Sequence, residues 1–208
     1  MNASAQPDPR QILGYFLPDL LARFRASYPD VEIDLRDMDR ANIEAAVLAG
    51  EVDLGVAILS NINKLDRFGH AVLVRSRRQL WMAPGHPLAK LASPSLKDIA
   101  QHPYIMVTAD EAETSTLAYW KSRRHQPNVV FRTMSIEAVR GLVAHGFGVT
   151  ALSDMVFRPW SLEGKRIEAR PILDVVPPME VGAIWHPGRA MSTPVEALQQ
   201  FLLHAYGN

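Results

Sequence analysis

The stretch "QILGYFLPDLLARFRASYPD" spaces its apolar residues three and four apart: Ile12, Leu13, Phe16, Leu17, Leu20, Leu21 and Phe24. That spacing lays them on one stripe of a helix. Pro18 falls inside the stripe, which predicts an irregular or kinked first turn, and Pro29 with Asp30 ends the helix. The period then changes to two. In "VEIDLRD" Val31, Ile33 and Leu35 alternate with Glu32, Asp34 and Arg36, which predicts a strand. "DRANIEAAVLAG" returns to helix, with Asp39 as its cap and Gly50 just past its end. "VDLGVAIL" is nearly all apolar, as strands of buried parallel sheets are. Strand, helix and strand with short joins predict a right-handed crossover.

Downstream, "GHAVLVRS" and "RQLWMA" read as strands. "PGHPLAKLASPSLKDIAQHP" is rich in proline and turn formers, with one short helix from about Ser95 to Ala100. "YIMV" is a strand, "EAETSTLAYWKSRR" a helix with acids early and bases late, and "NVVFRTM" a strand. "TMSIEAVRGLVAHGFGVTALSD" is helix, glycine turn and strand; Ser135 is placed to cap the helix and Glu137 lies in its first turn. "VGAIWHP" is a late strand and "PVEALQQFLLHAY" a closing amphipathic helix. Alternating helices and strands over this length predict two α/β lobes joined by two crossing strands.

The 208 residues suffice for one large domain or two small lobes. Apolar residues make up 48% and charged residues 21%, ordinary values for a globular protein. Twenty-two basic residues balance 22 acidic ones, so the chain lacks the basic surplus of a protein that grips nucleic acid. It has no cysteine, which removes thiol catalysis, disulfides and thiolate zinc sites. The seven histidines show no metal-ligand spacing, and no metal or cofactor is expected. No apolar run is long enough to span a bilayer, and "MNASAQPDPR" has no signal-peptide pattern, so a cytoplasmic protein without membrane contact is expected.

Four stretches in this order, "LPDLLARFRASYPDVEIDL", "AGEVDLGVAI", "LWMAPGHPLAK" and "IEAVRGLVAHGFGVTALSD", resemble the effector-binding domain of LysR-type transcriptional regulators. The resemblance covers nearly the whole chain. It implies an α/β, two-lobe fold like type 2 periplasmic binding proteins, with a ligand cleft between the lobes. Lobe I would be residues 1–83 plus 186–208 and lobe II residues 84–185, with crossovers near Met82–Gly85 and Ile184–His186. The family's winged helix-turn-helix and linker helix have no counterpart in these residues, and the chain begins where the family's first strand would stand. DNA binding would therefore belong to the full-length protein only. The family also implies a small-molecule effector and self-association through lobe I, where the helices Ile12–Phe24 and Ile43–Leu48 offer apolar surface.

Site residues follow from both readings. Thr133, Met134 and Ser135 fall where the resemblance puts ligand contacts; Ser135 is either a cap alone or a cap that also meets an effector. Phe147 in "HGFGV" is either a cover for the cleft or a core aromatic. Leu59 and Ser60 follow "VDLGVAI", and Thr108 follows "YIMV"; ligands gather beyond the carboxyl ends of strands in such sheets, so Ser60 is either an effector contact or part of a plain turn in "SNIN". In "ASAQPDPRQILGY" Ser4 and Arg10 are alternative first-helix contacts. Asp110, Glu111 and Glu113 would repel an anion and are read as helix-start charges. His86 in "GHPLA" is read as structural, and Ser153, Asp154 and His145 are near in sequence without making a triad. Neutral donors at a helix start with apolar walls favour an organic carboxylate. The leading expectation is a non-enzymatic effector sensor of a bacterial regulator. The alternatives are a transporter's solute-binding protein and, behind it, an enzyme such as a dehydratase on the same fold.

Overall fold

A computed structural model describes residues 14–109 and 112–205. Its described residues fall into two compact units. An inserted unit is formed by Ser76–Pro178, and a discontinuous unit by residues 14–75 and 179–205.

The discontinuous unit holds α1 (Leu17–Ser27), α2 (Arg40–Ala49), β1 (Gly55–Ile58) and β2 (Gly69–Ser76), the last of which ends at the boundary. β8 (Met179–Trp185) and α6 (Thr193–Ala205) complete it. Pro18 sits in the first turn of α1, where its missing N–H costs nothing, and the chain breaks regular helix at Phe16 just before it. Leu17, Leu20 and Phe24 are buried, and Phe24 meets Phe201 of α6 edge-on at 5.4 Å. α2 is capped by Asp39, which accepts the Asn42 N–H at 2.9 Å, and closed by Gly50 in the left-handed region at φ 71°. Its sheet has the order β1-β8-β2. Close approach explains Gly69: a Cβ there would lie 2.1 Å from the Trp185 indole nitrogen.

Two expectations fail here. Val31–Asp37 forms no ladder and is not a strand in the structure. Alternation prepares a segment for a sheet, but a strand exists only where a second backbone edge accepts its hydrogen bonds. Nor is β1 part of a parallel pair: it runs antiparallel to β8, with Gly55 opposite Ile184 and Ile58 opposite Val181. Its unbroken apolar run reflects burial on both faces, which either direction can produce.

The inserted unit contains β3 (Arg78–Met82), α3 (Leu96–Ile99), β4 (Pro103–Val107), α4 (Ala112–Ser122) and β5 (Asn128–Thr133). α5 (Ile136–Ala144), β6 (Thr150–Ser153) and β7 (Glu168–Pro171) follow. β3 is central to an antiparallel sheet of order β6-β3-β7, while β4 and β5 run parallel. Leu80, Met82, Leu96, Tyr104 and Trp120 anchor the core, with Trp81 buried on the neighbouring face of β3. α3 is short but carries a full capping box: Ser95 Oγ accepts the Asp98 N–H, and the Asp98 carboxylate accepts the Ser95 N–H at 2.9 Å.

Candidate functional site

Four of the expected site residues of the inserted unit, Thr108, Thr133, Met134 and Ser135, lie together at one end of the parallel pair β4/β5. Val107 lies opposite Thr133 in the ladder, so Thr108 and Met134 emerge together beyond the carboxyl ends of both strands. The Thr108 N–H donates to the Thr133 carbonyl at 2.9 Å. The Ser135 N–H donates to Thr133 Oγ1 at 3.1 Å, and the Ala138 N–H donates to Ser135 Oγ at 3.2 Å. Ser135 is therefore the N-cap of α5, as its position in the sequence predicts.

This arrangement has a chemical consequence. Each hydroxyl oxygen has accepted a backbone proton and still holds its own proton to donate. The first-turn amides of a helix have no carbonyl partner within it. Those of Ser135 and Ala138 are taken by the two hydroxyls, whereas the Ile136 N–H has no bond among the described residues. Thr133 and Met134 are half-buried and Ser135 is exposed, whereas Ile136 is buried, so accessible surface is found at the two hydroxyl-bearing residues. Among the described residues, two nearby carboxylates have basic partners. Glu113 accepts from Arg132 at 2.9 Å, and Glu137 pairs with the buried Arg140, which also donates to the Val156 carbonyl at 2.7 Å. Among the described residues the site presents neutral donors at the positive end of a helix dipole, an arrangement that can hold an anion.

Phe147 is not part of this cluster. It follows the carboxyl end of α5, and nine helical residues set it about 13 Å from Ser135 along the axis. The adjoining Gly148 packs on the Pro103 carbonyl, at the start of β4 rather than its end. With 63% of its surface exposed, Phe147 is not a core aromatic either. In the discontinuous unit Leu59 and Ser60 do follow β1. The Leu59 side chain is buried against Gly182 in the core, and Ser60 is exposed. Ser4, Arg10, Asp110 and Glu111 lie outside the described residues.

The catalytic alternatives gain nothing from the geometry. Ser153 and Asp154 both bond Ser76 Oγ, while His145 Nδ1 contacts the Gly141 carbonyl of its own helix at 2.8 Å. Among the described residues no group of three or more potential ligands could hold a metal, and no helix is long and apolar enough to cross a membrane. Sequence reasoning missed two features. One is the burial of Arg140, which lies beside Val139 in α5 and donates to the Val156 carbonyl, a partner distant enough in sequence to leave no local signal. The other is a cavity of about 340 Å³ in the discontinuous unit, which none of the expected site residues among the described residues borders.

Similar proteins agree with this architecture. The chain is 24% identical over 190 residues to the uncharacterized HTH-type transcriptional regulator YwbI of Bacillus subtilis, covering 91% of this chain and 62% of that one. The chain thus spans less than two thirds of that relative. Among solved structures, HinK, a LysR family transcriptional regulator from Pseudomonas aeruginosa, superposes with a TM-score of 0.86 at 25% identity, over 95% of this chain and 68% of that one. The BenM effector-binding domain, solved with its effector benzoate, gives a TM-score of 0.80 at 17% identity, over 94% and 87% of the two chains. Both fit the two-lobe, periplasmic-binding-protein-like fold. The LysR substrate binding domain matches residues 9–207, and the chain belongs to that family.

Proposed function

We propose that the chain is the effector-sensing part of a cytoplasmic transcription regulator and that its effector is a small organic carboxylate. The observation that carries this reading is the donor cluster of Thr133, Ser135 and the Ile136 amide beyond the β4/β5 ends. Neutral donors at a helix start hold a carboxylate without a fixed countercharge, and the half-buried Met134 offers apolar contact to its carbon skeleton. The benzoate held by BenM, itself a carboxylate, is consistent with the same class here. Such a ligand acts by binding one conformation of the protein more tightly than another. Family membership favours this reading over a transporter component or an enzyme.

A thermal-shift screen of aromatic and aliphatic carboxylates tests it. A ligand at a hundred times its dissociation constant stabilises the fold by about 2.7 kcal/mol. For a chain of this size that raises the melting temperature by roughly 5–10 °C. Ser135→Trp, which fills the donor cluster, should abolish the shift given by the best hit. Equal stabilisation of parent and variant would move the anion site elsewhere, and a response to amines or neutral sugars alone would sink the charge assignment. Self-association through the unit that carries α1 and α2 belongs to the same reading. Sedimentation at high micromolar concentration should show a dimer or larger species, and a strictly monomeric chain would count against it.

A further inference from the structure

Residues 172–177, the last stretch of the inserted unit before β8, belong to no helix or strand, yet they are tied down along their length. Burial alternates through them. Ile172 and Val176 pack against the core, and the Asp174 carboxylate accepts the Leu96 N–H at 2.7 Å. The backbone is held as well. The Leu173 N–H donates to the Pro94 carbonyl at 3.0 Å, Arg123 donates to the Val175 carbonyl at 2.8 Å, and Arg78 donates to the Pro177 carbonyl at 3.1 Å. Between these ties Leu173 and Val175 stand 68% and 79% exposed. A strap fixed at so many points cannot turn these two side chains inward, so both aliphatic groups stay in water.

The end of α4 supplies the charge beside this strap. Lys121, Arg123 and Arg124 are exposed, and among the described residues none of them has a carboxylate partner. Asp98 and Asp174 are both engaged at the start of α3. Bases late in a helix suit its dipole, which accounts for Lys121 and Arg123. Arg124 goes further. Its N–H donates to the Lys121 carbonyl at 2.9 Å and the His125 N–H to the Trp120 carbonyl at 3.1 Å, a closure that puts Arg124 in the left-handed region at φ 59°. Glycine suits that position, and an arginine there carries backbone strain that the closure does not require. We propose that residues 172–177 and the end of α4 form a docking face for a short acidic segment of a different protein. Its apolar side chains cover Leu173 and Val175, and its carboxylates meet Lys121, Arg123 and Arg124.

Charge complementarity selects this occupant. Nucleic acid would match the bases but has no use for two aliphatic side chains, since its bases stack on aromatic or guanidinium faces. Two copies of the chain joined by a two-fold axis through this face would set the same bases against each other.

The test uses the 208-residue chain and a synthetic peptide, Asp-Glu-Phe-Asp-Leu-Asp-Glu, labelled for fluorescence anisotropy. Saturable binding is expected, weakening as salt is added. A peptide with serine in place of its phenylalanine and leucine should bind about tenfold more weakly, which separates docking from plain charge attraction. Val175→Asp, at an exposed position, should weaken binding of the first peptide about tenfold as well. Arg124→Gly relieves the left-handed residue, so it should raise the melting temperature of the free chain while weakening the peptide severalfold, a combination that a purely structural arginine does not give. No binding at millimolar peptide, equal binding of the serine peptide, or parent-like binding by both variants would each overturn the proposal. So would sedimentation in which Val175→Asp breaks up an assembly of the chain with itself, because the face would then belong to a second copy.

Discussion

His86 shows how one side chain can set a pH response. Its Nδ1 accepts the Leu88 N–H at 3.2 Å, and its ring stacks edge-on with His102 at 4.7 Å. Burial first, and the neighbouring His102 second, hold its pKa below the ordinary 6.5. Because the folded value is lowered, the unfolded chain takes up the proton first, so this contribution to stability is present at neutral pH and is lost as the pH falls below about 6.5. Protonation would also remove the acceptor for Leu88. His86→Asn keeps an acceptor but cannot titrate in this range. Its melting temperature should fall less between pH 7 and pH 5 than that of the parent, and parallel slopes would exclude His86 as the source. His86 is structural, as "GHPLA" predicts, because the contact that caps the turn at Pro87–Lys90 is local. Phe147 was legible too, in hindsight: a residue after a helix sits at the far end from its cap, and "TMSIEAVRGLVAHGFG" already separates it from Ser135 by the whole of α5.

Elements whose signals are local came through. Asp39 and Ser135 each cap the helix that follows them, as a polar residue just ahead of an apolar period predicts, and Ser95, expected as the start of a helix, is the cap of α3. Ser95 is the most exacting case. α3 has only four residues and also draws the Asp174 carboxylate onto the Leu96 N–H at 2.7 Å. Ser95→Ala should cost about 1 kcal/mol, the usual penalty for a lost cap. In a chain of this size that lowers the melting temperature by roughly 2–4 °C, measurable by calorimetry, and no change would mean that Asp174 alone holds the helix start. Elements defined by their partners did not come through. β7, "EARP", is short and charged and becomes a strand only because β3 offers it an edge. Val31–Asp37 is the converse, a good strand pattern with no edge to meet. The direction of β1 was misread for the same reason, since pairing is a property of two segments.

At the scale of the molecule, 22 basic and 22 acidic residues cancel. Phosphate contacts dominate the affinity of proteins for duplex DNA, and a neutral chain has no surplus to offer them. This chain alone should give no saturable, sequence-dependent gel shift on promoter DNA at moderate salt; such a shift would contradict the assignment of DNA binding to the full-length protein. The division into two units also has an optical side. Trp81, Trp120 and Trp160 belong to the inserted unit, the first two completely buried, whereas the discontinuous unit has only Trp185, lying over Gly69. Emission from this chain is therefore weighted toward one unit. A denaturant titration followed by tryptophan fluorescence reports chiefly the loss of the inserted unit, and far-ultraviolet dichroism reports both. Any gap between the two midpoints measures how far the units unfold separately, without a label or a substitution.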